Sequence, residues 1–273
     1  MTDLYAVMGN PIHHSKSPAI HTQFAEQAKM DLVYSAMLVP LDGFDGAVKE
    51  FFKGHGKGLN ITVPFKENAF NLADSLTPRA KTAQAVNTLK LLEDGSILGD
   101  NTDGAGLVRD LTVNNDVALS GKRVLVIGAG GAVRGVLQPL LNESPEEVII
   151  CNRTFAKDEV LASEFSQLGN IIAKEFSELS GEFDVIINGT SASLNGELPP
   201  VPESVIASHT SVYDMMYGKD PTAFLLWAQN LGAGKIVDGL GMLVEQAAVS
   251  FDLWRGVHPD SMSVLSHLKN QLK

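Results

Sequence analysis

Several short runs of apolar residues, without alternating polar positions, occur along this chain. Residues 4–8 (LYAVM), 123–127 (RVLVI) and 147–151 (EVIIC) are almost wholly apolar and rich in β-branched side chains. Such runs are typical of parallel strands that are covered on both faces. The same pattern predicts further strands at residues 32–38, 58–63, 183–188 and 211–214. Helical spacing lies between the runs, so the hydrophobic pattern indicates an α/β fold.

Three helices and one hairpin are predicted in the first hundred residues. One helix follows Pro18, with Ile20, Phe24 and Ala28 on one face. The others span residues 42–52, with Asp42 as the N-cap, and residues 66–73. Asp94-Gly95 separates apolar runs at 86–92 and 96–98, which is a strong hairpin signal.

The second half of the chain reads as a doubly wound sheet followed by an amphipathic tail. Apolar side chains recur at helical spacing in this tail, at Leu240, Leu243, Val244, Ala247, Ala248 and Phe251. We expect that helix to return to the first domain and to bury its apolar face there. The predicted domains are residues 1–103 together with 240–273, which bind the substrate, and residues 104–239, a Rossmann-like unit.

Length and composition support a two-domain globular enzyme. The chain has 273 residues, of which 44% are hydrophobic and 19% charged, and its formal net charge is −11. This negative field disfavours nucleic acid and anionic membranes as partners, which points to small molecules. The single cysteine excludes an intrachain disulfide, and neither a signal peptide nor an apolar run of membrane-spanning length is visible. We therefore expect a cytoplasmic protein, with a monomer and a homodimer both left open.

A glycine-rich turn predicts a dinucleotide site. Gly128 and Gly130 follow an apolar strand and precede a helix, so backbone N–H groups can meet a pyrophosphate. The third fingerprint position is Val133, where glycine or alanine is usual. An ordinary strand–turn is the competing interpretation. Residues 188–191 follow another strand and would face the nicotinamide half of the cofactor.

The segment after the next strand predicts the choice of cofactor. The sequence Cys151-Asn152-Arg153-Thr154 lacks the carboxylate that would bind the ribose 2′-hydroxyl of NAD. Arg153 can instead form two bonds to a 2′-phosphate, and Lys157 could assist. The alternative is a solvated arginine at a helix start.

Polar residues in the first domain suggest a second ligand site. Ser15 and Ser17 lie two residues apart in a loop, where both hydroxyls could hold a carboxylate, although a simple Ser/Pro turn is the better explanation of this stretch taken alone. Thr62 ends a strand, and Lys66 lies near a helix start, where the helix dipole disfavours a cation. A carboxylate or an anionic ligand should compensate Lys66, unless it is simply exposed.

Asp103 and Asn87 are further candidates. Asp103 could be an N-cap for the helix that follows it or the partner of Lys66. Asn87 sits inside an apparent strand, where asparagine is disfavoured, so its amide should have a polar partner.

Together these stretches resemble the shikimate dehydrogenase family across almost the whole chain. The matching segments are GNPIHHSKSP, NITVPFKE, AVNTL, GDNTDGxG, IGAGGA, NRT, YDMxY and DGLGMLxxQA, in the family's order. The resemblance implies an NADP-dependent oxidoreductase that reversibly reduces 3-dehydroshikimate to shikimate in aromatic amino acid biosynthesis. It also implies that the turn with Val133 in the third position is the family's own.

Residue roles follow from the same resemblance. Lys66 and Asp103 would form the catalytic pair, in which Lys66 gives a proton to the alkoxide and Asp103 holds the ammonium. The substrate would contact Ser15, Ser17, Thr62, Asn87, Asp103, Tyr217 and Gln246. The cofactor would contact Gly128, Ala129, Gly130, Gly131, Ala132, Asn152, Arg153, Thr154, Phe155, Ala156, Lys157, Met215 and Gly239.

Two other functions compete with this interpretation. The nearer is a quinate/shikimate dehydrogenase of broader specificity; Arg153 without an acidic neighbour favours the NADP-dependent biosynthetic type. The other is a non-catalytic nucleotide sensor, which would not need Lys66, Asp103 and the serines together. The seven histidines form no HExxH motif and no ligand cluster with Cys151, so we expect no metal.

Overall fold

A computed structural model describes residues 2–272, apart from the side chain of Leu194. It divides into two compact units. Unit 1 comprises Met1–Gly106 and Val244–Leu268, and unit 2 comprises Leu107–Leu243 and Lys269–Lys273. The predicted α/β class with two domains is therefore confirmed.

A mixed six-stranded sheet forms the centre of unit 1. Its strands are β1 (Asp3–Gly9), β2 (Leu32–Leu38), β3 (Gly56–Ile61), β4 (Ser75–Leu76), β5 (Thr88–Leu91) and β6 (Ile97–Asp100). Their order is β2-β1-β3-β5-β6-β4. β1 pairs in parallel with β2 and β3, whereas β5 pairs antiparallel with β3 and β6. The hairpin expected around Asp94-Gly95 is this β5–β6 pair, and Gly95 takes a positive φ of 86° in its turn.

Helices cover both faces of this sheet. They are α1 (Ser17–Ala28), α2 (Phe44–Lys53), α3 (Lys66–Leu72) and α4 (Pro78–Ala83), and α5 (Asp103–Arg109) leads into unit 2. One core contains Met8, Leu59, Phe65 and Leu89. Val7 and Tyr34 belong to the core on the other face. Alternate residues of β1 thus enter opposite cores, as strand geometry requires.

Unit 2 contains a parallel sheet of the doubly wound type. Its strands are β7 (Arg123–Ile127), β8 (Glu147–Cys151), β9 (Ile171–Ala173), β10 (Val185–Asn188), β11 (Ser211–Asp214) and β12 (Lys235–Asp238). The strand order is β12-β11-β10-β7-β8-β9. Successive strands are added on one side of β7 up to β9 and on the other side from β10 onwards, so the order reverses between β7 and β10. In such sheets ligands bind beyond the carboxyl ends of the strands at that reversal. The connecting helices are α6 (Gly131–Asn142), α7 (Phe155–Phe165) and α8 (Ala223–Asn230).

Apolar strands explain why this sheet forms. Val124 and Val126 of β7 enter one core, and Leu125 and Ile127 enter the other. Each of the four is fully buried. A strand covered on both faces needs apolar residues at every position, which is the pattern seen in the sequence.

The C-terminal helices contribute to unit 1. α9 spans Leu240–Arg255 and α10 spans Ser261–Leu272, and residues 244–268 belong to unit 1. Trp254 of α9 lies 4.8 Å from the Tyr5 ring, and its Nε1 donates to the Leu89 carbonyl at 3.0 Å. A Cβ on Gly58 would overlap the Trp254 indole, so only glycine leaves room for it. The predicted return of the C-terminal helix is confirmed.

Two local predictions are wrong. Asp42 does not cap the second helix, because Gly43 holds the N-cap position of α2 and no side chain caps it. The first helix begins at Ser17 instead of after Pro18, since proline fits the first turn, where its missing N–H costs nothing.

Within residues 2–272, no helix is both long enough and apolar enough to cross a membrane.

Candidate functional site

Strand polarity gathers the candidate residues of unit 1 at one edge of its sheet. β1, β3 and β6 run in one direction and β5 runs in the other. The carboxyl ends of the first three strands and the start of β5 therefore lie at the same edge. The loops at this edge carry Ser15, Thr62, Asn87 and Asp103.

Lys66 and Asp103 meet at this edge. Lys66 Nζ lies 2.5 Å from Asp103 Oδ2, with side chains 23% and 10% exposed. Lys66 is the first residue of α3, where the dipole opposes a cation, and Asp103 supplies the compensating charge. Both groups are thus partly shielded from water, while the Lys66 side chain remains accessible in part.

Asp103 is not an N-cap, which excludes the structural alternative for this residue. It is the first residue of α5, and its backbone N–H donates to Asn101 Oδ1 at 3.1 Å. Asn101 therefore satisfies the helix start. The Asp103 carboxylate is left for Lys66 and Asn87.

Asn87 has the polar partners that we predicted, although it directly precedes β5 and does not lie inside the strand. Its Nδ2 donates to Asp103 Oδ1 at 2.7 Å, and its Oδ1 accepts from the backbone N–H of Thr102 at 2.9 Å. Because a backbone N–H can only donate, the amide has one orientation here. Asn87 is buried and fixes the second oxygen of Asp103.

Ser15 and Ser17 are close neighbours but differ in setting. The Ser17 backbone N–H donates to Ser15 Oγ at 3.3 Å. Ser17 opens α1 and is 6% exposed, whereas Ser15 is half-buried in the preceding loop. The expectation that both hydroxyls stand in an extended loop is therefore wrong for Ser17.

Three further substrate candidates have different surroundings. Half-buried Thr62 follows β3 in a turn. Gln246 of α9 places Oε1 3.4 Å from Asn87 Nδ2. Tyr217 follows β11 in unit 2, and its pKa is raised by burial and then by the nearby Asp238.

The glycine turn, Gly128–Ala132, joins β7 to α6. Gly128 has φ 115°, which side-chain-bearing residues rarely adopt, and its N–H donates to the Cys151 carbonyl at 2.8 Å. Gly130 is the N-cap of α6, and neither Gly130 nor Gly131 has an atom within 4 Å of where a Cβ would be. Open space and unpaired backbone donors at a helix start suit an anionic group.

Gly189 explains the valine at the third fingerprint position. Val133 is fully buried, and a Cβ on Gly189 would overlap its side chain. Helix and sheet therefore approach closely at this point because the glycine lies on the β10 loop instead of on α6. In the same loop Thr190 Oγ1 donates to Asn188 Oδ1 at 2.8 Å.

Residues 152–157 leave two cations available to a ligand. Arg153 and Lys157 are exposed, and neither forms an ion pair with any residue described in 2–272. Asn152 Nδ2 donates to the Thr154 carbonyl at 3.5 Å. No carboxylate follows Cys151 at the end of β8, so the donor set fits a phosphate better than a ribose hydroxyl pair.

Met215 and Gly239 adjoin each other in unit 2. A Cβ on Gly239 would overlap the Met215 carbonyl oxygen. Met215 is anchored by its N–H, which donates to the Asn188 carbonyl at 2.9 Å. The two candidates thus lie beyond the carboxyl ends of β11 and β12, next to the Asn188 loop.

Asp158 is a buried carboxyl that sequence reasoning missed. It lies in α7, one residue after Lys157, is fully buried, and neither oxygen has a hydrogen-bond partner of good geometry. Burial raises its pKa to about 6, although the Asn152 N–H lowers it slightly. The nearby Cys151 thiol has a pKa raised to about 12, by burial first and then by Asp158, Glu175 and Glu178.

Among the described residues, no three His, Cys, Asp or Glu side chains gather where they could hold a metal ion.

Three family models match the chain. Residues 7–89 match the shikimate dehydrogenase substrate binding domain, residues 111–195 match shikimate / quinate 5-dehydrogenase, and residues 239–261 match the shikimate 5'-dehydrogenase C-terminal domain. Together they span both units and α9.

Relatives and solved structures agree with these matches. The shikimate dehydrogenase (NADP(+)) of Alkalilimnicola ehrlichii is 61% identical over 98% of this chain and 99% of its own length. An Ael1 enzyme from Pseudomonas putida has a TM-score of 0.94 at 45% identity, with full coverage of both chains. Shikimate 5-dehydrogenase from Thermus thermophilus, solved with NADP(H) and shikimate, has a TM-score of 0.89 at 31% identity, again with full coverage.

Proposed function

Because this chain belongs to the shikimate dehydrogenase family, we propose that it catalyses the reversible NADPH-linked reduction of 3-dehydroshikimate to shikimate. The observation that carries this proposal is the Lys66–Asp103 pair, 2.5 Å apart at the sheet edge of unit 1. A partly exposed ammonium beside a carboxylate can donate a proton and then be protonated again from solvent. The reaction belongs to aromatic amino acid biosynthesis, and we place the enzyme in the cytoplasm.

The proposed chemistry assigns the proton to Lys66. Bound NADPH supplies the hydride that a ketone carbon accepts. Lys66 Nζ then donates its proton to the carbonyl oxygen, so that charge does not build up on that atom. Asp103 holds the ammonium in position, and Asn87 holds Asp103 by the bond of 2.7 Å.

The remaining substrate contacts are proposed from chemistry and placement. Ser15 and Ser17 offer two neutral hydroxyls to a carboxylate, and Thr62 and Gln246 offer polar groups to ring hydroxyls. Tyr217, which belongs to unit 2, is proposed as a substrate contact from the family resemblance alone. Residues 1–103 and 240–273, most of which belong to unit 1, are proposed as the substrate domain.

NADP is proposed to bind unit 2, within residues 104–239. The glycine turn Gly128–Ala132 would hold the pyrophosphate, because its donors and open space suit that group. Residues 152–157 would hold the 2′-phosphate, chiefly through the unpaired Arg153. Met215 and Gly239 are proposed to contact the rest of the cofactor.

A dehydrogenase that also oxidises quinate is the nearest alternative. Residues 111–195 match the shikimate / quinate 5-dehydrogenase family, whose name includes both substrates. Quinate also carries a carboxylate and ring hydroxyls, so Ser15, Ser17 and Thr62 fit either ligand. A sensor without catalysis is disfavoured, because it would have no use for the Lys66–Asp103 pair.

One spectrophotometric assay separates these functions. NADP and NAD reduction are followed with shikimate and with quinate, as four combinations. We expect turnover with shikimate and NADP, and a kcat/KM for the other three lower by at least tenfold. Equal use of quinate would support the broader enzyme, and no turnover in any combination would support the sensor.

A further inference from the structure

A buried hydroxyl bridge lies behind the Lys66–Asp103 pair. It consists of Thr88, at the start of β5, and Ser250, on α9, whose hydroxyl oxygens are 2.8 Å apart. Both residues are fully buried, and neither is among the proposed substrate contacts. The bridge therefore needs a reason other than ligand binding.

Asn60 of β3 contacts both hydroxyls of this bridge through its side-chain amide. Its Nδ2 donates to Ser250 Oγ at 3.0 Å and lies 3.1 Å from Thr88 Oγ1. Ser250 Oγ also lies 3.0 Å from the Gln246 carbonyl oxygen. Asn60 is in turn held by Tyr34, which donates to Asn60 Oδ1 at 2.7 Å.

Thr88 connects the bridge to Asn87 through a hydrogen bond. When Ser250 donates across the bridge to Thr88 Oγ1, the single Thr88 proton is directed to Asn87 Oδ1, 2.9 Å away. The same Oδ1 accepts from the Thr102 N–H at 2.9 Å. Two donors on one oxygen keep the Asn87 amide turned, so that its Nδ2 faces Asp103.

We propose that Thr88 and Ser250 are positioning residues for the proton transfer, acting through Asn87 on the Asp103 carboxylate. This inference rests on the proposed function, because it assumes that the Lys66–Asp103 pair moves the proton. Loss of the bridge removes one of the two donors on Asn87 Oδ1, so Asn87 and the Asp103 carboxylate bonded to it are held less tightly. A small displacement of a catalytic group costs turnover without removing any group that touches the substrate.

The test deletes the Thr88 hydroxyl without changing the shape of the side chain. Thr88→Val should lower kcat for shikimate oxidation about 5- to 20-fold, the effect of one lost buried hydrogen bond. KM for NADP should stay within twofold, because the cofactor residues lie on unit 2. Thr88→Ser, which keeps the hydroxyl, should retain kcat within about threefold. Ser250→Ala should reproduce the loss from the other end of the bridge, which covers the case in which Thr88→Val does not fold.

A double-mutant cycle separates positioning from general stability. In an Asn87→Ala background, Thr88→Val should cause no further loss of kcat, because its route to Asp103 is gone. Ser261→Ala is the matched control: its hydroxyl is also buried and donates to Glu245 Oε1 at 2.7 Å. We expect it to lower the melting temperature while kcat is unchanged.

Three results would overturn the proposal. Thr88→Val and Ser250→Ala could both keep wild-type kcat, or Thr88→Val could cause the same loss with and without Asn87. Retained turnover in Lys66→Met, measured in parallel, would overturn the proposed function and this inference together. A large loss in Lys66→Met with unchanged Thr88→Val and Ser250→Ala would overturn the positioning role alone.

Discussion

The setting of Lys66 combines an unfavourable helix position with a compensating charge. A lysine at the first position of a helix is opposed by the dipole. Asp103 offsets that cost at 2.5 Å, and the pair remains partly open to solvent. An arrangement of this kind is more readily explained by chemistry than by stability, since the loss of hydration offsets much of the attraction in a largely buried ion pair.

Lys66→Met should therefore lower kcat far more than it lowers cofactor binding. We expect kcat for shikimate oxidation to fall about 10²- to 10⁴-fold, the usual contribution of a general acid–base group. The dissociation constant for NADPH, measured by fluorescence titration, should stay within twofold. Lys81→Met removes an exposed lysine of α4 and serves as the control, with wild-type kcat expected. A Lys66→Met enzyme that keeps most of its turnover would contradict the proton role.

Asp158 makes a prediction about stability and pH. Its pKa is about 6 in the folded chain against an ordinary value of 3.8, so the folded state binds the proton more tightly than the unfolded state. Folding stability contributed by this group is therefore present at low pH and is lost as the pH rises from about 4 through 6. Above that window the buried carboxylate is charged and destabilises unit 2.

Asp158→Asn removes this titration and nearly preserves the shape of the side chain. The free energy of unfolding of the variant relative to wild type should rise by about 1–2 kcal/mol between about pH 4 and pH 7.5. Denaturant titrations at several pH values measure it. Any pH-independent effect of the amide on the unfolding free energy cancels in this comparison. If the difference between variant and wild type does not change with pH, Asp158 does not titrate with a raised pKa.

At the scale of elements, the segment from β8 into α7 holds the residues proposed to select the cofactor. Arg153 is exposed and has no ion-pair partner among the described residues, which leaves its guanidinium free for a phosphate. Its position depends on the end of β8, whose residues Ile150 and Cys151 are fully buried. A rigid strand thus presents a flexible cation.

Arg153→Gln should reduce kcat/KM for NADP about 10- to 150-fold, because one charge-assisted interaction is worth about 1.5–3 kcal/mol. The kcat/KM for NAD should change little. Lys122→Gln removes one charge at the amino end of β7, opposite the loops of the glycine turn, and is expected to leave both values unchanged. The assignment fails if Arg153→Gln weakens the two cofactors equally.

Elements with a strong local pattern were predictable from the sequence, and weakly patterned ones were not. β7 and β8 match their predicted bounds because every residue after the first in each strand belongs to one core or the other. β9 and β12 are edge strands of only three and four residues, too short to show a pattern in the sequence. The Asp42 cap was wrong because several polar residues near a helix start can serve as the N-cap.

The candidate site was predictable in its members and not in its contacts. Lys66 and Asp103 could be named as charges that need a partner, but their meeting depends on strand order across β3, β5 and β6. Thr88 and Ser250 gave no signal, because a threonine in a strand and a serine in a helix are ordinary residues. Their role depends on a contact between segments far apart in the chain.

On the scale of the whole molecule, the two units differ in continuity. Unit 2 is built almost entirely from one stretch, Leu107–Leu243, whereas unit 1 needs Met1–Gly106 and Val244–Leu268. Phe251 and Trp254, from the second segment, are 0% and 9% exposed. Losing this segment would therefore open the core of unit 1.

A fragment spanning residues 107–243 should fold alone and bind NADPH, because it contains the whole parallel sheet and both of its cores. A fragment spanning residues 1–106 should give no cooperative thermal transition, since it lacks Trp254 and Phe251. Circular dichroism melts and NADPH fluorescence measure the two outcomes. A cooperative melt of fragment 1–106 near that of the full chain would show that the C-terminal helices are dispensable to unit 1.

Because unit 1 is built from two separate segments, it can fold completely only after the second segment has been synthesised. Residues 107–243 separate its two segments, and at about 5–20 residues per second a ribosome needs on the order of ten seconds to make them. During that time the surface around Tyr5 and Gly58 in the first segment is not covered by α9. The part of the protein made first is therefore the last to mature, and a premature stop near the end of the gene would damage the beginning of the chain.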